Sequence, residues 1–562
     1  MSYAHATLYK LNGGILMKKF VKASTAILIS ILMLTGCSSS SNNESNAVDP
    51  SDVMLNINAR KAIAMAIDKT SFVETILNNG SIATNKFIPS KLAIDSELGD
   101  YSDFSGNLGY ENNDEEAKKY WQKAKDELGF ENVTLKLVLT DTEFSKRLGE
   151  YIQSELGDLD GLTIDLKQMP MKQRMEALAN GDYNISFSGW GPDYPDPLTY
   201  LETFSLNNTY YEDTGYDSKE YNSLLDKAKK ASTTKEAWTE YKNAEEVLLN
   251  DAYLVPIYQR GFAYLQKDYV KDIVVNPYGP KYLYKYADVD KPNKTLNMSN
   301  SDDITTLDTS LVKDALSSEV ISNTMEGLTR LDKEFNASEG MAKSWEVSED
   351  ALTWTFNLRD DAVWSNGEKV TAHDFEYAWK RTLDPATACE TASIFYDIVG
   401  AKDYNLSKNS DRDSVGVKAI DDYTLEVKLN RPVPYFDKMV ASTSFYPQNQ
   451  KFVESKGDKY GTSIENSIFN GPFILKTWKL NDQYAMGKNQ TYWDSNSVKL
   501  DSINVKISKD SNTDINLYNA GEIDRTTVSS DQVDKYKDSP EFGTGIDCAT
   551  NFLLLNAGNI NK

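Results

Sequence analysis

Few side chains in this sequence have the types needed for metal or nucleophilic chemistry. The 562 residues hold two histidines, His5 and His373, and three cysteines, Cys37, Cys389 and Cys548. A His-built zinc or iron centre needs two or three imidazoles converging, and no CxxC pair occurs, so no metal or redox site and no cofactor is expected. A GxSxG elbow, an HExxH pair and a Walker A loop are all missing, so the chain is not expected to be an enzyme. His373 sits with Thr371 and Asp374 at a helix start and is read as structural, with the threonine and aspartate as a capping pair. Carboxylates remain, and one stands in the run Gly189-Trp190-Gly191-Pro192-Asp193-Tyr194-Pro195-Asp196-Pro197. Taken alone the run is a turn, and Asp193 an ordinary turn former.

The start of the chain is an address. Residues 17–37 carry lysines at 18, 19 and 22, then an apolar stretch from Ala26 to Leu34, then small residues. That is a secretory signal, too short to span a bilayer as a mature helix. Its end, Leu34-Thr35-Gly36-Cys37, is similar to a bacterial lipobox, in which the cysteine is acylated and becomes the new N-terminus. The sixteen residues before Met17 do not fit a signal, so Met17 is read as the natural start. Residues 38–50 have too little apolar surface to fold and read as a tether.

With 60 Lys and Arg against 84 Asp and Glu, the net charge of -24 repels phosphate backbones and makes nucleic acid an unlikely partner. At 40% hydrophobic and 11% aromatic the chain is expected to build a large core of several domains. A helical pattern runs from Asn56 to a stop at Gly80, and another places Ala117, Trp121, Ala124 and Leu128 on one stripe ending at Gly129. Val133, Leu135, Leu137 and Leu139 alternate as in a strand. Helix (142–156), strand (162–168), helix (171–179) and strand (183–188) then complete a βαβαβ order, which predicts a parallel sheet. Two helices are expected over 217–250 and a strand over 253–264. The stretch 278–293 reads as a linker. Short strands follow at 295–300, 352–360, 415–420, 423–429, 472–480 and 502–508.

Several segments together resemble the oligopeptide-binding proteins of bacterial ABC importers, solute-binding proteins of family 5. They are MEGLTRLD (325–332), WTFNLRDDAVWSNGEKVTAHDFEYAWKRTLDP (354–385), VGVKAIDDYTLEVKLNRPVPYF (415–436), NGPFILKTWKLNDQYAMGKNQTYWD (470–494), LYNAGEID (517–524), ARKAIAMAIDK (59–69), GWGPDYPDP (189–197) and LVPIY (254–258). The order differs from the family's: segments at 294–562 belong before those at 56–290. The chain therefore looks like a circular permutant, with old termini joined through Asp288 to Lys294 and new ends between Lys562 and Asn56.

The resemblance implies an α/β fold of the type II periplasmic-binding-protein kind, two lobes and three domains with mixed sheets in permuted order. Residues 1–37 would be signal peptide with lipobox and 38–55 a flexible tether. Residues 56–262 would form a peptide-binding lobe, 263–338 with 467–562 the lobe carrying the joined termini and hinge strands, and 339–466 an accessory domain. A peptide would lie between the lobes as an added strand, bonded through its backbone to strand edges at 188–191 and 325–329. Asp193 matches the family aspartate that accepts the peptide's α-ammonium. Trp190 would lie against its first residues, with Gly189 and Gly191 beside it, and Glu326, Gly327 and Leu328 would give backbone contacts from the facing lobe. Basic residues that hold a short peptide's carboxylate in some members are replaced by Leu178 and Phe187, so longer or more variable ligands are expected.

The implied function is capture of oligopeptides by lobe closure and delivery to an ABC permease, by a monomer anchored to the outer face of the cell membrane through a lipid on Cys37, without nucleic acid. The alternative is a lipoprotein that binds a peptide pheromone or signal without nutrient import.

Overall fold

The computed structural model describes residues 48–206, 208–276 and 278–558. The signal peptide, Cys37 and most of the tether lie outside the described residues. The tether's last part is not one: Asp49 caps a helix Pro50–Leu55 with proline at its first turn, and Val53 and Met54 are fully buried.

A seven-stranded mixed sheet organises the first lobe. Its order is Ile82–Ala83, Leu254–Gln266, Phe542–Leu555, Ile185–Trp190, Val133–Thr140 and Leu162–Met169, with Arg525–Val528 also paired to Leu254–Gln266. The βαβαβ reading holds: Val133–Thr140 pairs in parallel with both Leu162–Met169 and Ile185–Trp190, and the helices Glu143–Leu156 and Met171–Ala179 form the crossovers. The purely parallel sheet does not hold. Phe542–Leu555 inserts antiparallel between Ile185–Trp190 and Leu254–Gln266, so the far end of the chain supplies a middle strand. This partner carries the pairing on to Gly189 and Trp190, two residues past the end the local pattern predicts.

Both faces of the sheet are covered, which is why its strands are apolar on both sides. Leu135, Leu137 and Leu139 join Ile63, Trp121 and Ile152 in one core; Val138 and Phe552 join Tyr200, Trp238 and Tyr241 in the other. Leu254–Gln266 and Phe542–Leu555 run on out of this lobe, and their far ends meet Tyr518, Ile523 and Val528 in a small cluster. Two continuous strands therefore join the lobes.

The second lobe has two four-stranded sheets. One is Ala342–Val347, Thr353–Leu358, Thr424–Lys428 and Val417–Asp421; the other is Thr295–Asn300, Ser502–Ile507, Gln483–Lys488 and Phe473–Lys479. Residues 339–466 do not have a core of their own. One apolar core runs from Val270 to Val505 through both sheets, with Trp364, Phe375 and Trp379 on the accessory side and Leu296, Val320 and Phe473 on the other. The expected linker is structured as well. Tyr282–Leu283 pairs with Val274–Val275, Asp288–Val289 pairs with Val270–Lys271, and Tyr284, Ala287 and Val289 are buried, because this stretch carries Tyr282, Leu283, Tyr284, Tyr286, Ala287 and Val289 among its turn and charged residues. Lys294 closes the joint by donating to Asp288 at 2.9 Å.

Candidate functional site: the cleft between the lobes

Asp193, Tyr194 and Pro195 of the first lobe, Asn276, Tyr278 and Pro280 of the connecting segment, and Arg330, Lys438, Met439, Ser442 and Tyr446 of the second lobe line one cleft. Asp193 is exposed on its wall. Its loop is held from behind: Thr199 Oγ1 accepts the Asp193 N–H at 3.0 Å, and the Trp190 indole donates to the Thr199 carbonyl at 2.9 Å. Trp190 also meets Tyr210 edge to face at 5.8 Å, so the tryptophan is as much a strut for the loop as a cleft surface.

Gly189 and Gly191 have different roles. A Cβ on Gly189 would fall 2.6 Å from the Asn551 amide, so its glycine lets two strands approach, whereas over Gly191 only Ala549 comes within 4.0 Å and the space is open to another backbone. Val133–Thr140 pairs only with Ile185 and Ser186 of the strand Ile185–Trp190, leaving residues 187–190 a strand partner on one side only. Part of that edge is already taken. Arg174 donates to Ser186 Oγ, Ser188 Oγ and the Phe187 carbonyl, and the hydroxyls of Tyr210 and Tyr200 donate to the carbonyls of Gly189 and Trp190. Sequence reasoning missed Arg174, which stands 13 residues before Phe187 on the preceding helix.

Much of the backbone of the facing segment 325–329 is already engaged. Glu326, Gly327 and Leu328 are fully buried. The Asn470 side chain accepts from the Glu326 N–H and donates to its carbonyl, both at 3.0 Å, while the carbonyls of Gly327 and Leu328 accept from Met341 and Ala342. The Glu326 carboxylate takes Arg330 Nε, the Tyr492 hydroxyl and the Trp493 indole, each at 2.6 Å. This is a buried ion pair that shapes the lobe; burial pulls the Arg330 guanidinium down, but Glu326 outweighs it and holds the arginine charged. Gly327 reaches the cleft indirectly, since a Cβ there would lie 2.8 Å from the Tyr446 ring, a cleft residue.

Contacts across the cleft come instead from residues without a visible signal in the sequence. Tyr194 stacks on Tyr435, and Lys438 Nζ donates to the Ile94 carbonyl at 2.6 Å. Burial lowers the Lys438 ammonium's pKa and raises that of its neighbour Asp437. Behind Tyr194, burial raises the Asp196 carboxyl to about 7, opposed by the Leu198 N–H and the charge of Arg431. Cys389 and Cys548 are both free thiols. The Thr371–Asp374 capping box is formed as expected.

The pattern of bacterial extracellular solute-binding proteins, family 5 Middle, matches residues 35–212 and 336–559, more than half the chain, and the protein belongs to that family. Within it, the chain is similar to the dipeptide-binding protein DppE of Bacillus subtilis, 40% identical over 245 residues, covering 44% of this chain and 45% of that one. It is 41% identical over 235 residues to the oligopeptide-binding protein OppA of the same organism, covering 42% and 43%. Among solved structures, the substrate-binding domain of an oligopeptide ABC transporter from Bacillus anthracis is 46% identical, covering 44% of this chain and 48% of that one, with a TM-score of 0.44. The chain thus spans about half the length of the curated relatives it matches. A family of solute binders agrees with the non-enzymatic reading of the sequence.

Proposed function

We propose that the protein is an extracytoplasmic receptor that captures oligopeptides in the cleft and delivers them to the permease of an ABC importer. One observation carries this: an exposed carboxylate, Asp193, stands on the cleft wall next to a strand whose residues 187–190 have a neighbouring strand on one side only, with open space over Gly191. An ammonium leaving water needs a charged acceptor, and an extended backbone needs a strand edge; the cleft has both. Peptide-binding relatives in the same family support the reading. Asp193, Trp190, Gly189 and Gly191 are the proposed ligand residues, while Glu326, Gly327 and Leu328 serve as the packed base under Tyr446.

The permuted order belongs to this reading. Its support is that both portions of the chain build one sheet and that the joint at 288–294 is ordered. A monomer held at the membrane through Cys37 completes it, tested by radiolabelled palmitate incorporation against Cys37→Ala. Native mass spectrometry of protein purified from peptide-rich medium tests the function: many co-purifying peptides of mixed sequence are expected. No peptide mass would overturn the reading, and one single sequence would shift it to signal binding.

A further inference from the structure

Arg525 is a buried cation without a carboxylate. It is 3% exposed, begins the strand Arg525–Val528, and pairs there with Gln266. Its Nη1 donates to Gln266 Oε1, but Nε and Nη2 have no partner. The neighbouring acids are committed elsewhere: Asp524 accepts from the Tyr269 hydroxyl and the Asn297 N–H, each at 2.7 Å, and Glu541 accepts from Lys267 and Tyr518. Buried charges are normally paired, because the cost of desolvation is otherwise several kcal/mol, on the order of the stability of a domain.

The surroundings of Arg525 are a platform of rings. Its guanidinium lies 3.7 Å from the Tyr264 ring centroid and 5.5 Å from that of Tyr282. A second cation shares the platform: Lys281 Nζ stands 4.6 Å from the Phe262 centroid and 5.4 Å from Tyr282. The strand beneath is cleared for these rings. Gly543 faces Tyr264 and Gly545 faces Phe262, and a Cβ on either would come within 2.6 Å of the ring it faces. Glu319, a carboxylate near Lys281, is spent on the Tyr282 N–H and the Tyr284 hydroxyl. Lys281 belongs to the hairpin whose ends line the cleft: Asn276 and Pro280 are wall residues, and the Asn276 N–H donates to the Lys281 carbonyl at 2.8 Å. Phe262, Tyr264 and Lys281 are half-buried and Arg525 is buried, so Lys281 is the more accessible of the two cations.

We infer that Arg525 and Lys281, mounted on Phe262, Tyr264 and Tyr282 next to the turn that lines the cleft, form an anion subsite at its margin that takes a carboxylate of the bound peptide. This rests on the peptide-binding reading above and adds the electrostatic anchor that Leu178 and Phe187 do not supply. A fork of guanidinium donors with an ammonium beside it suits a planar carboxylate, and the rings keep both cations in place.

Calorimetry with penta-alanine, its C-terminal amide, and the amidated peptide with a central glutamate or glutamine tests it. The intact protein is expected to bind at least one acid form about tenfold more tightly than its neutral counterpart. A difference between penta-alanine and its amide assigns the subsite to the C-terminal carboxylate; a difference between the glutamate and glutamine peptides assigns it to an acidic side chain. Arg525→Met and Lys281→Met should each reduce the preference towards one; if Arg525→Met fails to fold by circular dichroism, Lys281→Met decides. Binding of all four peptides with equal affinity, or an undiminished preference in the folded variants, overturns the subsite alone. No binding of any peptide overturns the receptor reading and the subsite with it.

Discussion

The rings of Tyr194 and Tyr435 lie parallel, 1° apart in plane and 5.6 Å between centroids, and they belong to opposite lobes. Tyr194 follows Asp193 directly, while Tyr435 is tied through its hydroxyl to Arg431, whose guanidinium is clamped by Asp397 at 2.6 and 2.8 Å. On the proposed peptide-binding reading, closure and the ammonium site are thereby linked through one residue step. A hinge equilibrium is shifted only by contacts that differ between its states, and this stack exists only when the lobes meet.

Tyr435→Ala should therefore open the unliganded protein. An aromatic pair contributes about 0.5–1.5 kcal/mol beyond burial, so peptide affinity should fall roughly 2- to 12-fold. Small-angle scattering should show a larger radius of gyration for the variant without peptide and the same radius with saturating peptide.

Asp193→Asn should weaken binding of peptides with a free amine by about 1.5–3 kcal/mol, roughly 10- to 150-fold, with little change in melting temperature because the side chain is exposed. N-acetylated peptides should bind weakly to both forms with no further loss in the variant, as read by calorimetry.

Glu326→Ala should act oppositely, on stability. Removing one partner of a buried ion pair costs about 3–5 kcal/mol and here also strands the Tyr492 and Trp493 donors, so the melting temperature should drop by several degrees. Peptide affinity measured well below the transition should stay within about threefold, since the side chain does not line the cleft.

Glu245 sets a pH dependence. Burial raises its carboxyl from 4.5 to about 7, opposed by the N–H groups of Ile88 and Phe87 that it accepts. A folded-state value above the unfolded one means the stability is fully present below about 4.5 and is lost as pH rises towards 7, where the unfolded chain ionises first. Glu245→Gln keeps both backbone bonds and removes the titration, so the decline of melting temperature between about pH 4.5 and 7 should be shallower than in the parent protein.

Much of the fold was legible because local pattern matched local partner. Of the expected stripe, Ala117, Trp121 and Ala124 are buried and Leu128 is half-buried, with Gly129 in the left-handed conformation at the helix end, and Val133–Thr140 and Leu162–Met169 run one residue past the predicted ends. What escaped depended on distant chain. No alternation in 183–190 announces that Phe542–Leu555 will extend the strand to Trp190, and nothing near MEGLTRLD tells that Asn470 will occupy the backbone of Glu326. Motif matching put functional weight on a segment that the structure spends on packing. Asp193 reached the cleft as read, whereas Tyr194, Tyr435 and Arg525 became visible only once three remote stretches were placed together.

The strand Phe542–Leu555 also dictates when the molecule can be finished. It sits in the middle of the sheet, and the Tyr200 hydroxyl bonds the Cys548 carbonyl 348 positions away. Until residues 542–555 have been made, Ile185–Trp190 and Leu254–Gln266 have no neighbour between them and keep bare edges. This lobe is thus begun long before its middle strand exists, and its assembly must wait for a long loop to close. A nascent chain of this design stays incompletely folded until that strand has been made and needs protection from sticking to its own kind along those edges.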